Sequence, residues 1–485
     1  MLTKSDYLKY LQCQKYLWLH KNRKDLTEKP SEAQQAIFDQ GYEVERYARK
    51  LFNEGIEVER NFSEGREETK EYVKIGHKTI FQATAMPDNL LARADIFHYD
   101  EKAKKWDIYE VKSTTEVNDV HIPDLAFQKV AFSRDGYDIG KTFLVCINHD
   151  YVRHGDIEPT QLFTIEDVTE EVSNYVGIVE SDIPKALAAM KTKEEPDIKI
   201  GKQCDKPYPC PFKDYCWKDI PTYSIYDVTN IREKKLQKLV DMGILHITDI
   251  PDDFDLSVTQ QNQVIAAKSG LPIINQKEIT SILEVLAWPL YFLDYESFAP
   301  AIPLFDGTKP YQQVCFQYSL HVLRSPQSEL EHYEFLHTAT NIPVEKLLAS
   351  MQSHIGSEGA VIVWNKSFEA TRNKEMGIMY PAYSAFLNSV NERMFDLRDI
   401  FTKQHFVHPD FKGSTSIKNV LPVLVPELSY KELEIHDGGT ASLRWYTCIY
   451  KNSPAKEETT AYLLKYCKLD SLAMVRIFER LLENA

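Results

Sequence analysis

The sequence predicts an α/β protein with more than one domain, and three observations support this. Runs typical of strands alternate with runs of helical spacing along most of the chain. A length of 485 residues exceeds what one hydrophobic core accommodates. The pattern also changes after a segment rich in Cys and Pro near residues 203–216, and again near residue 286. We therefore predict three regions, at residues 1–220, 221–285 and 286–485.

The composition favours a folded protein and excludes a generally basic nucleic-acid binder. Hydrophobic residues make up 43% of the chain, and the net charge is −15. Residues 1–220 hold 32 basic and 40 acidic residues, and the remainder holds 25 and 32. Any nucleic-acid contact must therefore use a local groove, although a site built from carboxylates tolerates this balance. The absence of a long apolar run or signal-like start predicts a soluble cytoplasmic protein with no membrane partner.

The first region begins with amphipathic helices and continues as strands. Hydrophobic spacing predicts helices over residues 1–24 and about 32–53. Further along, we predict strands at 79–85, 90–99, 106–113 and 141–148, with helices at 122–134 and about 167–191. The six-residue, mostly polar segment DEKAKK after Tyr99 predicts a hairpin between the second and third strands.

This hairpin brings acidic residues together. If Tyr99 pairs with Trp106, Asp95 lies opposite Glu110, with Cβ atoms roughly 4.5–5.5 Å apart. The period of two places Lys112 on the same face as Glu110. Facing carboxylates repel unless a cation lies between them, which favours a divalent metal site in which Lys112 orients water or stabilises charge. The alternative is a surface hairpin with an ordinary Glu–Lys ion pair.

Asp95, then Glu110-Val111-Lys112, then Gln128 on the following helix, resemble the core of the PD-(D/E)XK nucleases of the RecB type. The resemblance implies a restriction-endonuclease-like fold in which Asp95 and Glu110 bind metal and Lys112 and Gln128 complete the hydrolytic site. At supporting positions the chain departs from the family. Glu45 stands where the first motif often has His, and would still serve as a metal ligand. Phe132 replaces the Tyr that follows the motif's Gln by four residues.

The cysteines fall into two groups. Cys13 lies near the start, and Cys204, Cys210 and Cys216 follow a C-x5-C-x5-C spacing that is wider than usual in zinc sites. This order around the carboxylates resembles the CRISPR-associated RecB-type nucleases and the AddB-type helicase–nucleases. The resemblance implies that these four thiolates hold a 4Fe–4S cluster. Chance clustering in a Pro-rich loop and a structural zinc site are the alternatives. We predict that the remaining cysteines are buried and free: Cys146, Cys315, Cys448 and Cys467.

The middle region contains short predicted helices around DMGILHITDIP. The pattern LVDMGI-x4-DIP is reminiscent of a helix–hairpin–helix. A simple helical spacer is an equally good interpretation.

The third region predicts a mixed sheet flanked by helices. LYFLDYESF, QQVCFQYSLHVL and ELEHYEFLHT read as three successive strands from residue 290. A helix at about 342–355, a buried strand AVIVW, a helix from Ser367 and a last helix at about 457–483 follow.

A second group of acids lies on these elements. Asp294 and Glu296 share one face of an otherwise apolar strand, where buried carboxylates are costly unless they bind metal. Glu369 follows the strand AVIVW, and Tyr466 and Asp470 share a face of the last helix. Asp396 is a fallback ligand, although an N-cap or a solvent-exposed role is more typical for it.

D-x-E, N-x2-F with an acid, and Y-x3-D in this order resemble the DnaQ-like exonucleases of the RNase H-like fold. The resemblance implies four acids (Asp294, Glu296, Glu369 and Asp470), two divalent cations, and Tyr466 as the residue that orients water. Glu369 departs from the family, whose second motif normally has Asp. GSTSIK (413–418) and IHDGGTAS (435–442) resemble an uncharacterised C-terminal domain often fused to RecB-type nucleases.

Together these resemblances imply a nuclease that depends on Mg²⁺ or Mn²⁺ and hydrolyses DNA, with single-stranded ends as the expected substrate. The alternative is an adaptor that binds nucleic-acid ends without cutting them. Glu369 keeps that alternative open for the third region.

Overall fold

The computed structural model describes residues 1–27, 30–52 and 54–483. The chain divides into two compact units. The first unit contains residues 1–219 together with 300–311, and the second contains residues 220–299 and 312–485. The region predicted separately at 221–285 is thus part of the second unit.

The first unit combines a sheet with helices. In chain order its elements are β1 (Leu2–Thr3), α1 (Lys4–Gln12), α2 (Gln14–Asn22), α3 (Glu32–Ala48), β2 (Ile56–Glu57), α4 (Phe62–Ile75), β3 (Thr79–Ala85), β4 (Leu90–Asp100), β5 (Lys105–Lys112), α5 (His121–Arg134), β6 (Ile139–Ile147), α6 (Pro159–Leu162), β7 (Phe163–Asp167), α7 (Thr169–Lys191) and α8 (Lys213–Cys216). The strands predicted at 79–85, 90–99, 106–113 and 141–148 are therefore confirmed to within two residues.

The sheet of this unit has the strand order β2-β3-β4-β5-β6-β7, with β1 beside the start of β4. β3, β4 and β5 are antiparallel neighbours, whereas β6 runs parallel to β5 after the crossover helix α5. Tyr99 pairs with Trp106, so the predicted hairpin register is confirmed. Phe127 and Phe132 of α5 belong to the buried core on one side of this sheet.

The prediction of a single helix over residues 1–24 is wrong. Cys13 adopts an extended conformation, with φ −166° and ψ 124°, and separates α1 from α2. The break places Cys13 at the junction of two short helices. The second helix also ends earlier than predicted, at Ala48, and a 3-10 turn follows at Arg49–Leu51.

The second unit contains helical segments followed by another sheet. Its elements are α9 (Glu233–Asp241), α10 (Val258–Ser269), β8 (Ile273–Ile274), α11 (Gln276–Glu284), β9 (Leu290–Phe298), β10 (Val314–Leu323), β11 (Leu330–Leu336), α12 (Val344–His354), β12 (Ala360–Val363), α13 (Lys366–Met379), α14 (Ser384–Glu392), β13 (Met394–Asp396), α15 (Asp399–Thr402), β14 (Phe406–Val407), α16 (Ile417–Leu424), α17 (Gly438–Arg444) and α18 (Lys456–Glu483).

Its main sheet has the order β11-β10-β9-β12-β13. β9, β10 and β11 are antiparallel, while β12 runs parallel to both β9 and β13. On one face, Ser319 of β10 hydrogen-bonds to Ser471 of α18 at 2.7 Å. On the other face, Tyr295 of β9 donates to Asn373 of α13 at 2.9 Å. The predicted mixed sheet between helices is confirmed, and both units are α/β.

The segment that resembles a helix–hairpin–helix in sequence contains one α-helix, a turn and a 3-10 turn. α9 ends at Asp241, and Gly243 takes a positive φ of 75° that suits a tight turn. A three-residue 3-10 turn at Ile247–Asp249 stands where a second helix would begin. Leu239 and Ile247 belong to a small core formed within this segment. Across the ranges described, no helix has the length and apolarity needed to cross a membrane.

Candidate functional site

The first unit holds a group of polar side chains that we name the first carboxylate cluster. Its acids are Asp95 on β4, Glu110 on β5 and Asp124 on α5, and its other members are Lys4, Lys112 and Gln128. The strand register continues from the pair Ile96–Tyr109, so Asp95 and Glu110 are the next neighbours. Asp124 lies one helical turn before Gln128, and both side chains therefore face the same strand.

Glu110 is the most heavily bonded acid of the cluster. Its side chain is 3% exposed. Glu110 Oε1 accepts hydrogen bonds from Lys4 Nζ at 2.6 Å and from Lys112 Nζ at 2.7 Å. Glu110 Oε2 accepts one from Gln128 Nε2 at 2.7 Å. Both oxygens are thus engaged by donors that the chain itself supplies.

Asp124 forms the second contact of the same two lysines. Lys112 Nζ lies 2.7 Å from Asp124 Oδ2, and Lys4 Nζ lies 3.5 Å from Asp124 Oδ1. Burial disfavours the charged carboxylate, but Lys112 and Lys4 outweigh burial and lower the pKa of Asp124. In return Asp124 and Glu110 raise the pKa of Lys112 against the opposing effect of burial. These charges therefore form a network in which each ammonium is shared by two acids.

Asp95 has different partners. Its Oδ2 accepts the backbone N–H of Val111 at 2.9 Å, and its Oδ1 accepts Gln82 Nε2 at 3.2 Å. Burial, followed by the neighbouring Glu110, raises the pKa of Asp95 to about 7. Gln82 also donates to Glu45 Oε1 at 2.5 Å, and Glu45 is paired with Arg49 at 2.7 Å. Gln82 of β3 thus links Glu45 on helix α3 to Asp95 on β4, which is the neighbour of Glu110.

Sequence reasoning brought Asp95, Glu110, Lys112 and Gln128 together and missed Lys4, Asp124 and Gln82. Asp124 could have been found, because it precedes Gln128 by four residues on the same predicted helix. Gln82 lies opposite Asp95 in the sheet, with a positive φ of 55° that its sequence does not indicate. For Lys4, which precedes Glu110 by 106 positions, the sequence carries no signal.

The donors of the first cluster are carboxylate oxygens, the ligands that Mg²⁺ and Mn²⁺ prefer, and one or two carboxylates usually suffice for Mg²⁺. Among the described residues, no three ligand atoms here lie within 4.8 Å of one another. The lysines occupy the space on Glu110 instead. The carboxylate oxygens are thus suitable ligands for a hard divalent cation, but in this structure ammonium groups are bound to Glu110.

The four cysteines singled out by their order, Cys13, Cys204, Cys210 and Cys216, line one small cavity of the first unit. Burial raises the pKa of Cys210 to about 11, and the other three thiols act on it in the same direction. Cys210 N–H also donates to the Cys204 carbonyl at 2.8 Å. The break between α1 and α2 therefore lies beside the C-x5-C-x5-C segment, although almost 200 residues separate them in sequence.

The spacing of these sulfurs bears on what they could hold. A single tetrahedral zinc ion, with Zn–S near 2.3 Å, requires its sulfurs to lie roughly 3.8 Å apart. Within the described ranges, no three of the four sulfurs lie within 4.8 Å of one another.

The second unit holds a group that we name the second carboxylate cluster. Asp294 and Glu296 lie on one face of β9, and Cys467 of α18 lies against them. One ligand atom from each of these three residues lies within 4.8 Å of the other two, so they could hold a metal ion. Cys467 was predicted as a buried free cysteine, which is confirmed along with Cys146, Cys315 and Cys448, but its place beside Asp294 was not foreseen.

Asp470 joins this cluster through electrostatics and tyrosine hydrogen bonds. Burial raises the pKa of Asp294 and of Glu296, and Asp470 is the next cause for both. Tyr430 donates to Asp470 Oδ1 at 2.6 Å, and Tyr466 hydrogen-bonds to the same carboxyl. Burial nonetheless raises the pKa of Asp470 to about 6. Sequence reasoning named Tyr466 and missed Tyr430.

Few cations offset these acids. Lys418 lowers the pKa of Glu296 and of Asp470, and its Nζ lies 5.9 Å from the ring centres of both Tyr430 and Tyr466. Lys418 is the last residue of the segment GSTSIK. Next to Glu296 lies Gly438 of IHDGGTAS, where an added Cβ would come 3.6 Å from Glu296 Oε2. Both C-terminal motifs therefore contact the second cluster or its surroundings.

Glu369 lies at the margin of this cluster. Burial, followed by Asp396, raises its pKa to about 8, and its Oε2 is buried without a hydrogen-bond partner. Glu369 contributes to the raised pKa of Asp294, after Asp470 and Glu296. Asp396 accepts the backbone N–H groups of Lys366 and Arg398 at 2.9 and 3.1 Å, so it caps the start of α13. Asp396 is the last residue of β13 and is not itself the N-cap residue of a helix.

Parts of the chain are similar in sequence to known proteins. The sequence family described as a domain of unknown function (DUF2779) matches residues 291–416. This range contains Asp294, Glu296 and Glu369 and ends before Tyr466 and Asp470. The curated relatives include "Uncharacterized protein UU173" of Ureaplasma parvum, 29% identical over 248 residues, which are 46% of this chain and 35% of the relative.

A second relative, "Uncharacterized protein MG366 homolog" of Mycoplasma pneumoniae, is 26% identical over 231 residues, which are 43% of this chain and 34% of the relative. "Uncharacterized protein MG366" of Mycoplasma genitalium is 27% identical over 208 residues, which are 38% of this chain and 31% of the relative. The chain thus spans about a third of the length of the curated relatives it matches.

Proposed function

We propose that the protein is a metal-dependent nuclease with two separate hydrolytic sites. The observation that carries the proposal is the second carboxylate cluster. One ligand atom each from Asp294, Glu296 and Cys467 lies within 4.8 Å of the other two. Asp470 raises the pKa of both Asp294 and Glu296. So many buried acids with so little cationic compensation are costly unless divalent cations bind there. Such cations would supply a Lewis acid and an activated water for phosphodiester hydrolysis.

At the second site the chain's own residues have distinct roles in this proposal. Asp294, Glu296 and Asp470 hold the cations, and the hydroxyl of Tyr466 orients the attacking water. Tyr430 fixes Asp470 from the other side through its 2.6 Å hydrogen bond. Glu369 lies at the margin of the site and is one of the groups that raise the pKa of Asp294. The order of these residues on β9, α13 and α18 supports the resemblance to the DnaQ-like exonucleases.

The first site would use Asp95 and Glu110 as metal ligands, with Glu45 behind them. Lys112 would stabilise charge that develops on the phosphate, and Gln128 would hold Glu110 in position through its 2.7 Å bond. The confirmed hairpin register and the strand–strand–helix–strand order support the resemblance to the RecB-type PD-(D/E)XK nucleases. The substrate that this resemblance favours is DNA with single-stranded ends.

The cysteine cavity supports a 4Fe–4S cluster as the resident cofactor of the first unit. Its four cysteines come from both ends of the unit's sequence and line one cavity. The group would tie the α1–α2 junction to the segment around α8. A link that closes so long a loop lowers the entropy of the unfolded chain, and in the chain-entropy model it stabilises the folded state more than a link that closes a short loop.

The test uses end-labelled single- and double-stranded DNA with Mg²⁺ or Mn²⁺, and two variants of the full chain. Lys112→Ala should abolish one metal-dependent cleavage activity, and Asp294→Ala should abolish a second one that Lys112→Ala leaves intact. Exposed Lys102 on the β4–β5 turn provides the matched control, Lys102→Ala, which should cleave like the parent protein. Absence of any metal-dependent cleavage, together with retained DNA binding, would instead favour an adaptor that binds nucleic-acid ends.

A further inference from the structure

Lys4 was not expected at the first carboxylate cluster, and its contacts there are unusual. It is the first residue of α1, and its Nζ lies 2.6 Å from Glu110 Oε1. Lys112 Nζ is bonded to the same oxygen at 2.7 Å, and Gln128 fills the other oxygen. Both acceptor positions of Oε1 are therefore filled, and a metal ion that takes this oxygen as a ligand must displace one of the two ammonium groups.

The two lysines are not equivalent in this exchange. If Lys112 leaves Glu110, its ammonium keeps a 2.7 Å bond to Asp124 Oδ2. If Lys4 leaves Glu110, its next contact is Asp124 Oδ1 at 3.5 Å, which is beyond good hydrogen-bond geometry. Lys112 is thus anchored twice, whereas Lys4 depends on Glu110. Of the two, Lys4 is the cation that a metal ion would replace.

The backbone that carries Lys4 is well fixed. Thr3 caps α1 through a reciprocal pair of hydrogen bonds with Asp6, and Leu2 pairs with Leu90 of the sheet. Asp6 is in turn paired with Lys21 of α2 at 2.6 Å. Exchange at Glu110 therefore requires only rotation of the flexible Lys4 side chain, which is 23% exposed and has a route to solvent.

We propose that Lys4 is a cation held by the chain in the metal position of the first site, and that a divalent metal ion displaces it from Glu110. This inference rests on the proposed function of the first cluster. Lys4 acts through Glu110 and is a positioning residue: its hydrogen bond holds the Glu110 side chain in place before metal arrives. Because metal and Lys4 compete for one oxygen, each weakens the hold of the other by the same factor.

The first test measures Mn²⁺ affinity by electron paramagnetic resonance, in the Asp294→Ala background so that the second cluster contributes less. Lys4→Met should bind Mn²⁺ at an Asp95-dependent site about fivefold or more tightly than the parent, since a competitor is removed. Lys4→Arg keeps the charge and should stay close to the parent. Lys9→Met is the matched control, because Lys9 lies on the same helix, beside Asp6 and not Glu110.

The outcomes separate this inference from the proposed function. Unchanged or weaker Mn²⁺ binding in Lys4→Met, with an Asp95-dependent site still present, would overturn the role of Lys4 alone. If the parent protein also shows no Asp95-dependent Mn²⁺ binding, the proposed metal site is wrong, and the inference about Lys4 is wrong with it.

A second measurement needs no variant and therefore does not depend on the folding of Lys4→Met. Acetic anhydride modifies free amines, and peptide mass spectrometry reports the modification of each lysine. In the unaltered full chain, saturating Mg²⁺ at constant pH should raise the modification of Lys4 severalfold and leave Lys112 protected by Asp124. Equal modification of Lys4 with and without Mg²⁺ would contradict the exchange.

Discussion

Asp95 and Glu110 are neighbours on adjacent strands, yet their side chains have different hydrogen-bond partners. Glu110 accepts hydrogen bonds from two ammonium groups and an amide, whereas Asp95 accepts them from a backbone N–H and the Gln82 amide. The negative charge of Glu110 is therefore offset before any metal binds. Lys4 and Lys112 also lower the pKa of Asp95, but burial and Glu110 outweigh them, so ionised Asp95 should destabilise the metal-free protein.

We expect Asp95→Asn to stabilise the metal-free protein above pH 7. Burial and Glu110 raise the pKa of Asp95 from 3.8 to about 7, so between these values the folded state binds a proton that the unfolded chain does not. Stability therefore falls as the pH rises from about 4 to about 7. Asn carries no charge and still offers an oxygen to the Val111 N–H. Denaturation in EDTA at pH 8 should show a gain of about 1–2 kcal/mol.

The control for this measurement is Asp88→Asn, at an exposed turn with a positive φ that Asn tolerates. It should leave the stability at pH 8 unchanged. At pH 4, where Asp95 is protonated in the folded protein, Asp95→Asn should lose most of its advantage. A destabilised Asp95→Asn at pH 8 would show that the carboxylate is compensated in the metal-free protein.

At the scale of elements, α1 connects the first carboxylate cluster with the cysteine cavity. Lys4 begins the helix, and Cys13 follows its last residue, Gln12. Nine residues of α-helix span roughly 13 Å, so the two sites lie at opposite ends of one rigid rod. The extended backbone of Cys13 ends this rod and turns the thiol toward Cys204, Cys210 and Cys216.

Anaerobically purified protein should be brown and contain about four irons per chain. Cys13→Ala should lose most of the iron and lower the thermal stability, because the junction of α1 and α2 is then no longer tied to the C-x5-C-x5-C segment. Iron analysis and the visible absorption spectrum provide the readout. The matched control is Cys448→Ala, which removes a buried thiol outside the cavity and should keep its iron. Colourless parent protein with one zinc per chain would refute the cluster.

At the scale of the whole molecule, the boundary between the units is not a single cut in the chain. Residues 300–311 follow β9 of the second unit in sequence but belong to the first unit. Ala301 and Ile302 are buried there among Val44, Ile147 and Phe163. Arg153 of the first unit also donates to the carbonyl of Leu304 at 2.8 Å. The core of the first unit is therefore completed by a distant part of the sequence.

A fragment ending at Asp219 should consequently be less stable than the same fragment joined to residues 300–311 by a flexible linker. Burial of Ala301 and Ile302 accounts for a difference of about 2–4 kcal/mol. Urea denaturation of both fragments measures it. A third fragment, with residues 300–311 in scrambled order, controls for the added length and should resemble the short one. Equal stability of all three would show that the segment does not complete this core.

The sequence by itself determined the elements and one critical register. Hydrophobic periodicity located the strands and most helices, because burial of one face imposes a period of 2 or 3.6 residues on the chain. The short polar turn after Tyr99 fixed its pairing with Trp106, and with it the approach of Asp95 to Glu110. Spacing along α18 likewise put Tyr466 and Asp470 on one face. All of these features are local in sequence.

Only the tertiary structure decided which distant side chains complete each site. Lys4 and Glu110 are 106 positions apart, and Cys467 lies 173 positions from Asp294. Tyr430 reaches Asp470 from a segment with no periodic signal of its own. Such contacts depend on how whole elements pack. The sequence around a lysine or tyrosine that makes one does not distinguish it from other lysines or tyrosines. The extended backbone of Cys13 is a further example. Helical spacing in the sequence continues across Cys13, and nothing local in the sequence indicates the cavity beside it.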